Sequence, residues 1–172
     1  MVLLRDARPG DASAIAAIWN PIIRDTVITF WPTERTGPEI ATLIRDRQSE
    51  GRAFLVAEAG GAILGFATYS QFRNGGGYAR SMEHTIHLAP KARNAGTGRL
   101  LLDALEDHAR ACGHRLLIGG ITASNQGSLR FHARAGFAEW GRIPRAGWKF
   151  GAFHDLVLMG KDLGGPEGSA TP

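Results

Sequence analysis

The chain has 172 residues, 44% of them hydrophobic, the size and apolar content of one ordinary domain with a buried core. Its net charge of +4 is spread along the sequence, with 17 arginines among the 20 basic residues, so the clustered patch of a nucleic-acid binder is absent and that function is disfavoured. Cys112 is the only cysteine, which excludes an internal disulfide and a cysteine-rich metal site. The opening "MVLLRDARPGDASA" lacks the apolar stretch of a signal peptide, and no window approaches the ~20 apolar residues of a membrane span, so a cytoplasmic protein with no membrane association is expected.

Asp11 stands where it would cap a first helix, whose Ile15, Ile18, Trp19 and Ile22 recur at helical spacing; Pro21 is expected to end or kink it. A second helix is signalled by "TGPE", where Thr36 and Glu39 have capping-box spacing, and by Ile40, Leu43 and Ile44 ahead of Gly51. The stretch between them, "RDTVITFWPTERT", is aromatic and irregular. "AFLVAEA" and "AILGFATYSQF", separated by Gly60 and Gly61, read as an antiparallel hairpin, and the glycine-rich "RNGGGYAR" follows as a loop. Next come a strand over 82–89, the hexapeptide "RNAGTG" at 93–98, and a helix over 99–112 carrying Leu102, Leu105, Ala109 and Cys112, the last as a small packing residue. The strand "RLLIGGI", a short helix in "NQGSLRFHARAG" stopping at Gly136, and strands over 137–143 and 154–163 complete the order. This succession predicts a single α/β domain with a mixed sheet over residues 1–163, and the tail "GGPEGSATP" at 164–172, without an apolar anchor, is expected to be disordered.

The hexapeptide enters a helix through two glycines. The first turn of a helix offers unpaired N–H groups and the positive end of its dipole, so such a turn suits a phosphate, although a plain strand-to-helix turn has the same glycines. A Walker loop requires Gly-Lys-Ser/Thr, but Arg99 and Leu100 follow Gly98. A dinucleotide fingerprint requires a third glycine where Leu101 stands and an acid at the end of the next strand, which "LLIGGIT" does not carry.

Arg93, Gly96 and Gly98 match a third pattern, Arg/Gln-x-x-Gly-x-Gly/Ala, and "NQGSLRFHARAGF" follows with Asn125 and Gly136-Phe137. In these features the chain resembles the GCN5-related N-acetyltransferases, the GNAT superfamily. "ITF" (28–30), "FRNGGGYARSMEHTIHLAP" (72–90), "NQGSLRFH" (125–132) and "GWKFGAFHDLVLM" (147–159) are similar to its phosphinothricin and methionine sulfone/sulfoximine acetyltransferase branch. The resemblance implies a mostly antiparallel mixed sheet of seven strands flanked by helices, acetyl-CoA as co-substrate, no metal, a homodimer, and the α-amino group of a small amino-acid analogue as acceptor. Rival functions are acetylation of another amine, such as a protein N-terminus or a polyamine, and a non-catalytic acyl-CoA-binding module.

Acetyl transfer to an amine needs a base, a polarised carbonyl and a proton for the leaving sulfur. Glu83, opposite the Met82, Ile86 and Leu88 face of its strand, is the candidate base; alone it would read as a solvated or paired glutamate. The resemblance places the cofactor along Ile86, His87 and Leu88, with the polarising N–H around His87 and Leu88. It also places the cofactor in the loop of Arg93, Asn94, Ala95, Gly96, Thr97, Gly98 and Arg99, and against Asn125 and Ser128. Arg93 and Arg99 would assist the backbone donors or remain solvated, and Asn125 is equally a helix N-cap. His132 stands where the superfamily often has a tyrosine that protonates the sulfur, or is a surface histidine of an amphipathic helix. Phe30, Trp31, Phe72, Tyr78 and Phe150 lie in segments resembling the acceptor pocket, where Arg73 and Arg80 would meet a carboxylate. Glu83, His84 and His87 imitate a metal cluster, but strand alternation sends the two histidines to opposite faces.

Overall fold

The computed structural model describes residues 1–164, so the expected tail beyond Gly164 lies outside them. Two helices open the chain after a short strand β1 (Leu3–Asp6): α1 (Ala12–Asp25) and α2 (Gly37–Ser49). Ile15, Ile18, Trp19 and Ile22 are all buried, as their spacing predicts. Asp11 precedes α1 but does not cap it. Its carboxylate instead takes the Arg5 guanidinium at 2.8 and 2.9 Å and the Arg8 N–H at 2.7 Å. Nor does Pro21 end α1, which runs on to Asp25; there Thr26 Oγ1 donates to the Ile22 carbonyl and Lys149 Nζ to that of Ile23. The capping box of α2 forms as expected, with Thr36 Oγ1 accepting from Glu39 N and Glu39 returning to Thr36 N at 2.7 Å.

The remaining elements are β2 (Phe54–Ala59), β3 (Ala62–Gln71), β4 (Ser81–Leu88), α3 (Thr97–Ala111), β5 (Leu116–Thr122), α4 (Gln126–Arg134), β6 (Ala138–Lys149) and β7 (Ala152–Asp162). They form one seven-stranded sheet in the order β1-β2-β3-β4-β5-β7-β6, antiparallel except for β4 with β5. Leu101, Leu102 and Leu105 of α3 pack with Met82, Leu117 and Val157 on one face of the sheet, while Ile15, Ile40 and Ile44 cover Phe54, Val56 and Phe66 on the other. Cys112, expected to pack, is exposed at the end of α3. Among the described residues no helix is long and apolar enough to cross a membrane.

Candidate active site

The parallel ladder between β4 and β5 lasts only from Ser81–Leu116 to Glu83–Ile118. Beyond it the strands part, and a cleft of about 500 Å³ opens between them, lined by residues 83–87 of β4, 119–122 of β5, 28–32 of the α1–α2 loop, and Asn125, Ser128 and His132. The antiparallel β3–β4 ladder decides which β4 backbone groups face this gap. Ser81 accepts from Phe72, and Ala89 donates to Leu64, so the odd-numbered residues of β4 spend their N–H and C=O on β3. His87 is thereby paired with Phe66 and is not the free donor sought near it; the amides of Ile86 and Leu88 point towards the gap.

Side chains alternate the other way. Glu83 is half-buried on the α1 side of the sheet, with neither a hydrogen bond nor an ion pair to any described residue, and burial pushes its carboxyl above the usual glutamate range. Gly120 makes room for it: a Cβ there would stand 3.0 Å from Glu83 Oε1. On the opposite face a Cβ at Gly119 would stand 2.9 Å from the ring of His84. Adjacent glycines on β5 thus clear space on both faces for adjacent side chains of β4, a pairing not expected from "LLIGGIT" alone.

His132 is buried, not the surface histidine its helix allowed, and both of its ring nitrogens are engaged. Nδ1 lies 2.8 Å from the Ser128 carbonyl, which only accepts, so the neutral ring carries its proton there. Nε2 then accepts from His84 Nε2 at 2.9 Å. Burial lowers both histidines, and His84, beside His132, falls to about 3, so the pair is neutral at pH 7. His87 lies on the other face, its ring 5.6 Å from Phe66 and 5.9 Å from Trp19, and burial together with the charge of Arg93 lowers it to about 4.

The hexapeptide forms the turn into α3, which starts at Thr97, two residues earlier than predicted. Asn94 and Gly96 have positive φ, 60° and 82°, and the first helical bond runs from Leu100 N to Gly96 O, leaving the N–H groups of Thr97, Gly98 and Arg99 ahead of the ladder. Gly98 serves packing, since a Cβ there would stand 3.2 Å from Leu88 and 3.4 Å from Phe131. Arg93, Asn94, Ala95 and Gly96 are exposed. Arg99 is tied to Asp103 at 2.7 Å and to the Arg134 carbonyl at 3.3 Å, so its side chain joins α3 to α4. Asn125 does cap α4, accepting from Ser128 N at 3.1 Å, and both residues also line the cleft. This donor set, backbone N–H groups at a helix start leading to free strand amides, fits a phosphate-bearing chain that ends in a carbonyl.

Of the proposed acceptor residues, Phe30 and Trp31 line the cleft, whereas Phe72, Arg73, Tyr78, Arg80 and Phe150 do not. Tyr78 and Phe150 are exposed, and Arg73 stacks on Phe72 at 5.3 Å. The Phe30 wall is held by residues sequence reasoning passed over. Thr122 Oγ1 donates to the Val27 carbonyl, Lys149 Nζ bridges the Ile23 and Thr29 carbonyls at 2.5 and 2.7 Å, and Phe30 lies over Gly147, where a Cβ would stand 2.4 Å away.

A forked pair of strands, free backbone donors within the fork and an unpaired carboxylate at its edge are groups of the kind acyl transfer needs. Comparison with known proteins agrees. The family described as Acetyltransferase (GNAT) family matches residues 19–137, and the chain belongs to it. It is 33% identical to the L-amino acid N-acyltransferase MnaT of Escherichia coli K12 over 91% of each chain, and 34% identical to the L-methionine sulfoximine/L-methionine sulfone acetyltransferase of Salmonella typhimurium over 91% of each. The structure of a phosphinothricin acetyltransferase from Sinorhizobium meliloti in complex with acetyl-CoA superposes with a TM-score of 0.90 at 32% identity, covering 99% of this chain and 92% of that one.

Proposed function

We propose that the protein transfers the acetyl group of acetyl-CoA directly to the α-amino group of a small amino-acid analogue of the phosphinothricin, methionine sulfoximine or methionine sulfone type. The observation that carries this is Glu83, a carboxylate without a partner beside the strand gap, and the names of the relatives support the acceptor class. The loop at residues 93–99 would hold the pyrophosphate, with Asn125 and Ser128 along the cofactor. The amine attacks the thioester carbon, Glu83 takes the amine proton, and the N–H of Leu88 or Ile86 meets the charge developing on the carbonyl oxygen. The carbon–sulfur bond then breaks and the thiolate takes a proton. His132 is the candidate donor; because its Nε2 carries no proton and is turned to His84, delivery requires that contact to open and Nε2 first to take up a proton from solvent. Phe30 and Trp31 would hold the acceptor, with Phe72, Arg73, Tyr78, Arg80 and Phe150 joining from loops outside the cleft. We take the enzyme to act in the cytoplasm as a homodimer.

The test is thiol release from acetyl-CoA with a panel of amino-acid analogues, ordinary amino acids, polyamines and peptides. Strong turnover with methionine sulfoximine or phosphinothricin is expected. Turnover only with polyamines or peptides would reject the acceptor class, and acetyl-CoA binding without turnover of any amine would reject the catalytic reading.

A further inference from the structure

Along β4 the groups of the proposed reaction stand in order. Glu83 lies near the start of the strand, the amides of Ile86 and Leu88 face the gap, and the turn at residues 93–99 follows the strand's end. A thioester entering from that turn, with its carbonyl on the strand amides, presents its sulfur on the turn side of the reacting carbon. The attacking amine then lies on the Glu83 side. The residue between the two amides is His87, whose side chain shares the α1 face with Glu83, roughly 13 Å further along the strand.

The His87 ring is packed but not hydrogen-bonded. It lines the cleft beside Trp19 and Phe66, and neither of its nitrogens bonds to a described residue. Nor is either nitrogen sealed off, since the buried polar atoms without a partner include His84 Nδ1 and Trp19 Nε1 but no atom of His87. Both are therefore accessible, and the space beside them is the cleft. His132, by contrast, has both nitrogens engaged, by Ser128 and His84. Burial and the charge of Arg93 keep His87 neutral at pH 7, and a neutral imidazole carries one N–H in either tautomer. A donor already fixed beside the atom that becomes charged stabilises that charge without rearranging.

We propose that His87 is a further catalytic residue, its ring N–H donating a hydrogen bond to the thioester sulfur as the carbon–sulfur bond breaks. The amine nitrogen bonds the acyl carbon and yields a proton to Glu83, and the electron pair of the broken bond goes to sulfur. His87 keeps its proton, because losing it would leave an imidazolate in a half-buried site. The thiolate is protonated afterwards, from solvent directly or through His132. This assignment rests on the acetyl-transfer reading above and holds for any acceptor amine.

The experiment titrates the thiol of bound CoA in the wild type, His87→Phe, His87→Gln and His132→Phe, by thiolate absorbance measured against the same complex with desulfo-CoA. Glu83 on the same face, Arg93 in the turn, Arg35 over Trp19 and the His84–His132 pair across the sheet are common to the wild type and both His87 variants, so they do not create a difference between them. The ionisation constant of the thiol should fall roughly 10- to 100-fold in His87→Phe, the worth of a hydrogen bond to a charged group. It should stay near the wild-type value in His87→Gln, which keeps an N–H donor. Single-turnover acetyl transfer should slow by a similar factor in His87→Phe, with acetyl-CoA affinity little changed. His87→Leu carries the same comparison should His87→Phe fail to fold. An unmoved thiol in His87→Phe, an equal fall in His87→Gln, or a fall in His132→Phe alone overturns the assignment and leaves acetyl transfer standing. A wild type that binds no CoA overturns both.

Discussion

At Glu83 the environment sets both the chemistry and its energetic cost. The carboxylate loses water without gaining a partner, so its folded pKa exceeds the unfolded value of about 4.3. A base must be ionised to work, so kcat/KM should rise with pH through a pKa above that of an ordinary glutamate. Glu83→Gln should lower turnover by roughly 10²-fold or more and remove that inflection, with acetyl-CoA affinity little changed. The same shift fixes the sign of the stability effect. The ionised group destabilises the fold above its folded pKa, and the cost vanishes as pH falls below the unfolded value. Glu83→Gln should therefore unfold at a higher temperature than the wild type at neutral pH, a gain that fades towards about pH 4. Lost turnover with a lowered unfolding temperature would assign Glu83 to structure instead. The neighbouring glycines separate the two faces in the same way. Gly119→Ala drives a methyl into the buried His84 ring and should cost about 1–3 kcal/mol in chemical denaturation. Gly120→Ala presses on the movable end of Glu83 and meets Leu156 at an ordinary van der Waals distance of 3.5 Å, so it should reduce turnover more than stability.

Between elements, the contacts that fix the site join residues far apart in the chain. Lys161 of β7 reaches Glu106 of α3 at 2.6 Å and the carbonyl of Ala135, where α4 ends, so one ammonium ties together α3 and α4. The Glu106 side chain is only 6% exposed. Lys161→Met should cost about 3–5 kcal/mol in urea unfolding because it leaves that carboxylate buried and unpaired; replacing both residues with apolar ones should recover much of the loss. Features of this kind were not legible in the sequence, where 55 residues separate the pair. What was legible is local: the capping box at Thr36 and Glu39, the Gly60-Gly61 turn with both glycines at positive φ, and the glycine turn into α3. β1 escaped because "LLRD" is too short to alternate. The strand expected to stop at Ile143 runs on to Lys149 through a bulge at Pro144-Arg145-Ala146, with Arg145 at φ 55° and its N–H on Asp155. Glu83 could be placed by alternation and by resemblance, but its lack of a partner, the His84–His132 contact and the clearance at Gly119 and Gly120 arise only where β4 and β5 part.

For the molecule as a whole, the open question is what covers the β6–β7 edge. Trp148 and Phe153 pack edge-to-face with ring centres 4.7 Å apart, yet they are 59% and 60% exposed, and Phe150 at the turn is 62% exposed. Alternation explains the arrangement: Gly147 and Lys149 turn inward to Phe30 and the loop carbonyls, which sends Trp148 outward. Aromatic side chains on an edge hairpin are an unfavourable surface to leave in water and a favourable one to bury against a copy of itself, since a two-fold contact needs only one self-complementary patch. The homodimer expected from the resemblance should therefore close on this hairpin. Sedimentation should show a species of twice the 18.5 kDa chain mass, and Trp148→Glu combined with Phe153→Glu should shift it to the single chain without unfolding the sheet, because neither side chain belongs to the core. A wild type that sediments as a single chain at tens of micromolar would reject the dimer, and a double variant that stays dimeric would move the interface elsewhere. Because Lys149 lies between the exposed aromatics and the Phe30 wall, separating the copies should also raise the KM of the acceptor while that of acetyl-CoA, proposed to bind at the far loop, holds steady.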